Sequence, residues 1–262
     1  MEFELTKEQK EIQKAVREFV KGEFKKDVIE DLIENHQYPE KIWKKAADLG
    51  FIGIHFPEEY SGQGMGVMEN ILVAEELARG DSTVGCCLLI ADFASEIILH
   101  NGSDAQKAKW LPRVAEGECL SCGAFTEPDH GSDITSVETT AVRDGDEWVI
   151  NGSKIFITNA GPLAGFYCVL CQTDTEAQPS YRGMSLILVE ADRAGIGTQD
   201  VGHKMGITLS YTAEVTFKDV RVPVANLIGK ENKGFYQLLE FFDESRILVA
   251  AQALGTAQGA YD

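Results

Sequence analysis

An α+β chain is predicted, with a helical N-terminal domain, a β-barrel-like middle domain and the start of a C-terminal helical bundle. Three observations predict it. Apolar residues recur at helical spacing up to about residue 118. From Cys119 to about Pro223 the pattern alternates and is broken by Asp-Gly and Asn-Gly pairs. From Gly234 the helical pattern resumes and still runs at Asp262. The expected boundaries are 1–118, 119–232 and 233–262.

The helical part begins at a capping box, Thr6-x-x-Gln9, with Ile12, Val16, Phe19 and Val20 on one face. Pro39 sits at a plausible first helical position, and Gly50 ends that helix. A third helix carries Ile71, Leu72, Ala74, Leu77 and Ala78. A fourth, Val84 to Leu99, is apolar almost all round and is expected at the centre of the domain. Ser103-x-x-Gln106 caps another helix, expected to end before Pro112. Strands are expected at Trp148–Ile150, Ile155–Thr158, Phe166–Gln172, Met184–Glu190 and Ala213–Val222, with hairpin turns at Asp144-Gly145 and Asn151-Gly152. Short strands with such turns suggest a small barrel or sandwich. A chain that stops inside a helix reads as truncated.

The net charge of −18 and the lack of a basic stripe argue against a nucleic-acid surface, because phosphate must be met by clustered Lys and Arg. No run reaches the apolar length of a membrane helix. Met1 to Leu5 lacks the basic-then-apolar order of a signal peptide, so a cytoplasmic location is expected. The pairs Cys119-x-x-Cys122 and Cys168-x-x-Cys171 invite a zinc reading. Both fall in strand-like runs, where residues three apart face opposite sides, so buried thiols are expected and no metal.

Three further features bear on chemistry. Ser61-Gly62-Gln63-Gly64-Met65-Gly66 resembles a phosphate loop, but no Lys-Ser/Thr follows and a tight interhelical turn explains it. Glu127, Asp129, His130 and Asp133 form either a polar loop or a turn whose amides and Ser132 hydroxyl face an anion. No nucleophile elbow or Ser/Cys–His arrangement supports hydrolysis. Asp92 lies inside the apolar stretch Cys86 to Ala94. A buried carboxylate there is either a base with a raised pKa or a cap at a helix break.

These motifs, taken in order, resemble an acyl-CoA dehydrogenase along the whole chain. The most specific are Thr126-Glu127-Pro128-x-x-Gly131-Ser132-Asp133 and Asn151-Gly152-x-Lys154-x-Phe156-Ile157-Thr158-Asn159. Lys204-Met205-Gly206, Phe217-x-Asp219-Val220-x-Val222-Pro223 and Phe242-Asp243-Glu244-x-Arg246 follow. The resemblance implies FAD between the middle and C-terminal domains. It implies that Phe125 and Thr126 hold the flavin pyrimidine, and that Ser132, after Gly131, meets the pyrophosphate with the acyl-CoA nearby. Phe156 would pack on the flavin, where many relatives have Trp, and Thr158 would lie near the reactive nitrogen. Asp243 and Arg246 would face the CoA. An electron-transfer flavoprotein as acceptor and a homotetramer are also implied.

The implied reaction removes a proton beside the thioester carbonyl and passes a hydride to the flavin. The family's usual Glu base would lie beyond residue 262. A minority of relatives place it just before the arginine matching Arg246, where this chain has Ser245. The base is then either beyond residue 262 or something unusual, and Asp92, whose region the resemblance places in the acyl pocket, becomes the candidate catalytic residue, suited to a cyclohexane- or cyclohexene-carboxyl-CoA dehydrogenase. A short-chain acyl-CoA is the competitor. Glutaryl-CoA fits less well, since no arginine lies between Arg79 and Arg113 to meet a second carboxylate. A CoA- or flavin-binding homologue without a base is the non-catalytic alternative.

Overall fold

The computed structural model describes residues 4–262. The N-terminal reading across Met1 to Phe3 lies outside the described residues. Thr6 caps α1 (Lys7–Glu23), its hydroxyl accepting from the Gln9 N–H while Gln9 reaches back. α2 (Lys26–Glu34) and α3 (Glu40–Asp48) follow, and Pro39 is the residue before α3 rather than its first. α4 (Val67–Gly80) is preceded by the Ser61–Gly66 turn, where Gly62 lies so close to the Phe56 carbonyl that a Cβ would strike it.

The stretch expected as one central helix is two, α5 (Ser82–Leu89) and α6 (Ser95–Asn101). Ala94 turns the chain between them at φ +73, and Asp92 sits in the break. α7 (Asp104–Ala115) starts at the predicted Ser103 box but runs through Pro112.

The middle region is an open sheet, which corrects the expected barrel. Its strands are β1 (Leu120–Ala124), β2 (Thr140–Asp144), β3 (Glu147–Thr158), β4 (Ala164–Gln172), β5 (Met184–Glu190), β6 (Ile196–Asp200), β7 (Thr212–Pro223) and β8 (Leu227–Ile228). The order is β6-β7-β3-β2-β4-β5-β8, with β1 pairing parallel beside β4. No ladder joins β6 to β8 among the described residues. Closure fails because β8 is only a two-residue strand, while β2 meets β4 through one residue pair, Thr140 with Gln172. The helices cover one face of the sheet, and the other face packs against itself.

Sheet alternation splits the core in two. On β4, Phe166, Cys168 and Leu170 join the helical core, whereas Tyr167, Val169 and Cys171 join the core on the other face. Cys119 and Cys122 divide the same way. All six cysteines are buried and unbridged. Among the described residues no three His, Cys, Asp or Glu side chains converge as a metal site, and no helix is long and apolar enough to cross a membrane.

Asp144 and Glu147 flank the predicted hairpin. Asn151-Gly152 is instead a bulge inside β3, where the register to β7 shifts. Its amide is satisfied across the sheet, Asn151 bonding the Asp219 carboxylate and accepting the Asp219 N–H.

α8 (Gly234–Tyr261) returns over the helical domain and lies along α4. Gly255 and Gly259 permit that approach, since a Cβ at either would strike the Glu75 or Arg79 carbonyl.

Candidate functional site

The loop after β1 is built against β3. The Thr126 carbonyl accepts from the Ile155 N–H at 2.9 Å, and the Phe125 carbonyl accepts from Lys154 Nζ at 3.1 Å. Lys154 is 0% exposed and also donates to Glu127 Oε1 at 2.8 Å. Glu127 takes two backbone N–H groups as well, from Thr139 at 2.9 Å and Glu138 at 2.6 Å. Burial works against the Glu127 charge, but Lys154 and the backbone donors outweigh it and hold the carboxyl below its usual range. Burial pushes the Lys154 ammonium below its ordinary value, against the pull of Cys171 and Glu127.

A tight turn closes this loop, with Glu127 N–H bonded to the His130 carbonyl and His130 N–H to the Glu127 carbonyl. Asp133 then caps the short turn Ile134–Ser136 through Thr135 and Ser136. These bonds leave Gly131 and Ser132 exposed to solvent.

A cavity of about 420 Å³ lies between this loop and α8, lined by Phe125, Thr126 and Ser132 on one side and Phe235, Phe242 and Arg246 on the other. Phe125 packs edge-on against Phe242, at 6.0 Å between ring centroids. Arg246 is anchored by its Nε to the Phe242 carbonyl at 2.8 Å. Asp243 is exposed and does not line the cavity.

Phe156 is the outlier of β3. It is 63% exposed at φ +58, where β3 and β7 shift register between Lys154 and Ile157. An exposed aromatic residue in a left-handed conformation carries strain that an ordinary strand would shed. Thr158 ends the strand opposite Thr212. Asn159 follows at φ +67 and is fully buried. Its amide nitrogen donates to the Ile90 and Ser121 carbonyls at 2.6 and 2.9 Å, which ties this wall to the helical domain.

Asp92 lies on the other side of that tie. It is 5% exposed, and its Oδ2 accepts the Gly53 N–H at 3.1 Å. Burial first, then the Glu96 charge, pushes its carboxyl up to about 7. The adjacent Phe93 packs on Phe241, 5.1 Å away, and Phe241 packs on Phe125. Asp92 is thus linked to the cavity wall through aromatic rings and is not itself among the residues lining that cavity.

Sequence reasoning named Phe125, Thr126, Gly131, Ser132 and Arg246 as site residues, and the structure lines one cavity with them. It missed the Glu127–Lys154 pair as a unit. The available signal was a lysine on a strand whose aromatic neighbour two residues on is the exposed one, the reverse of usual alternation.

Two family models match, the acyl-CoA dehydrogenase N-terminal domain over residues 6–118 and its middle domain over residues 122–220. The short-chain specific acyl-CoA dehydrogenase of Clostridium acetobutylicum is 39% identical over 100% of this chain and 68% of its own length. The chain belongs to the acyl-CoA dehydrogenase family.

The acryloyl-CoA reductase (NADH) of Anaerotignum propionicum is 40% identical over 100% of this chain and 66% of its own. A glutaryl-CoA dehydrogenase from Mycobacterium smegmatis, solved in complex with FADH2, superposes with a TM-score of 0.87 at 32% identity, covering 97% of this chain and 64% of that one. The chain spans about two thirds of the length of the relatives it matches. None of the three proteins above is named for a cyclohexane- or cyclohexene-carboxyl-CoA.

FAD is the cofactor of this acyl-CoA dehydrogenase fold, and the donor set here fits it. Among the described residues the Thr126 N–H and the Ser132 hydroxyl have no hydrogen-bond partner, and Phe156 presents an uncovered ring one residue from the Thr126–Ile155 bond.

Proposed function

We propose that this protein is an FAD-dependent acyl-CoA dehydrogenase acting on a short acyl-CoA thioester. The observation that carries the reading is the cavity between the Phe125–Ser132 loop and α8, polar on one wall and aromatic with an arginine on the other. In this reading Phe125 and Thr126 hold the flavin pyrimidine, Gly131 and Ser132 meet the pyrophosphate, Phe156 packs on the ring and Thr158 lies near its reactive nitrogen. Ser132, Asp243 and Arg246 face the CoA end of the substrate. When bound, FAD would supply the acceptor for a hydride from the substrate carbon next to the one that loses a proton. The protein's own part is to orient the thioester, exclude water and hold donors where charge develops. The short-chain preference is supported by the names of the two relatives above. Division into 1–118, 119–232 and 233–262, an electron-transfer flavoprotein acceptor and a homotetramer complete the proposal.

The test is reconstitution with FAD followed by titration with butyryl-CoA. Bleaching of the visible flavin band on adding the thioester is expected. A stoichiometrically flavinylated protein that stays yellow with every acyl-CoA would favour a binding homologue without a base.

A second reading rests on Asp92. A buried carboxyl held near neutrality suits a base that takes a proton from a ring carbon remote from the thioester. That reading makes the substrate a cyclic acyl-CoA. Asp92→Asn should then abolish turnover of cyclohexene-carboxyl-CoA while flavin stays bound; retained turnover sinks it.

A further inference from the structure

We propose that the buried Lys154 ammonium, acting through the Phe125–Thr126 peptide, raises the reduction potential of the bound flavin. The inference rests on the flavin reading above and deepens it.

A trans peptide points its C=O and N–H in opposite directions. Lys154 Nζ takes the Phe125 carbonyl from behind at 3.1 Å. The N–H of the same peptide, that of Thr126, is therefore aimed away from Lys154. Thr126 lines the cavity, and no acceptor for that N–H exists among the described residues. The next peptide is held separately, its carbonyl by Ile155 and its N–H by His130. One donor of the loop is thus left pointing outward, with a full positive charge on the far side of its peptide. An ammonium on the carbonyl polarises the peptide and strengthens the opposite N–H as a donor. In a site with little water such a charge is weakly screened.

The reduced flavin is richer in electrons at its pyrimidine end than the oxidised one. A donor strengthened there binds the reduced form better. Glu127 sets the size of the effect, because it sits 2.8 Å from the ammonium and carries the opposite charge. Lys154 does not touch the ligand; it is a positioning residue that acts through the Thr126 N–H.

The test compares flavin midpoint potentials and FAD affinities of the FAD-loaded wild type, Lys154→Met and Glu127→Gln at pH 6. Removing the ammonium should lower the potential; a roughly tenfold loss of preference for reduced flavin reads as about 30 mV. Glu127→Gln keeps the side chain's shape, leaves the ammonium unopposed and should raise the potential by a similar amount. Opposite signs are the signature. A purely structural pair would weaken FAD binding in both variants and move both potentials the same way or not at all, and that result overturns the proposal. If Lys154→Met does not fold, the sign of the Glu127→Gln shift decides alone: upward supports, downward or none refutes. Failure of the wild type to take up FAD overturns the flavin reading and this inference with it, whereas FAD uptake with unmoved potentials overturns the inference only.

Discussion

Two buried acidic clusters flank the seam between helices and sheet, and they are built in opposite ways. In one, Glu127 is met by the Lys154 ammonium and two backbone N–H groups, so its charge is fully compensated. In the other, Asp92 and Glu96 approach the same short loop from α6 and the break before it. Asp92 has the Gly53 N–H and no cation in hydrogen-bond contact among the described residues, and Glu96 lies 3.5 Å from His55 Nε2, too far for a hydrogen bond of ordinary geometry. Among the described residues, Glu96 Oε2 and both His55 ring nitrogens have no hydrogen-bond partner. Burial of a carboxylate is thus solved by compensation at Glu127 and by partial protonation at Asp92. The first arrangement suits a fixed charge that shapes a binding loop. The second suits a proton that comes and goes.

The largest expected effect is at the compensated site. Lys154→Met leaves a buried carboxylate without its counter-ion, and about 3–5 kcal/mol of stability should be lost in urea unfolding at pH 7. A loss under about 1 kcal/mol would mean that the two backbone donors suffice and that the clusters differ less than their geometry suggests.

The uncompensated site should respond with the opposite sign. The folded carboxyl of Asp92 sits at about 7 against an ordinary 3.8, so between those values the folded protein binds more protons than the unfolded chain. Burial works against the His55 proton, but Glu96 outweighs it and raises the His55 pKa, which adds to the same trend. Stability from this cluster is therefore present at low pH and is lost as pH rises through about 7. Asp92→Asn keeps an acceptor for Gly53 and removes most of that slope, making the variant more stable than wild type at pH 8 by about 4 kcal/mol at most. Parallel unfolding midpoints from pH 5 to pH 8 in the two proteins would refute it.

Asn159 joins the two regions, and its loss tests whether they act as one body. Asn159→Ala leaves the Ile90 and Ser121 carbonyls without their donor, with an expected cost of about 2 kcal/mol. The smallest effect is expected from His55→Gln. Without the imidazole charge that lowers it, the Asp92 carboxyl should titrate still higher, visible as an upward shift of the pH dependence of stability. An unmoved pH dependence would show that His55 carries no charge beside Asp92 in the folded protein.

The helices with strong end signals were legible. The boxes at Thr6 and Ser103 cap real helices because both partners lie within one turn of chain. Alternation correctly sent Cys168 and Cys171 to opposite faces, since side-chain direction along a strand is a local property. Local rules failed where a distant segment decided the outcome. Asn151-Gly152 reads as a hairpin turn, yet β7 passes beside it and turns it into a bulge. The run from Val84 to Leu99 reads as one helix, yet Ala94 adopts a left-handed conformation and Ser121 donates into that break from β1, its hydroxyl bonded to the Phe93 carbonyl. The expected barrel failed for the same reason, because closure depends on which edges meet.

By itself the sequence determined the order of helical, sheet and helical regions, the residues of the Thr126–Asp133 loop and the family to which they belong. These are carried by spacing and residue type, which act over a few positions. Only the tertiary structure decided that the sheet stays open, that Lys154 is the charge behind the Phe125 carbonyl, and that Asp92 and Glu96 share one loop with His55. Those outcomes depend on burial, and burial is set by what packs against a residue from far along the chain.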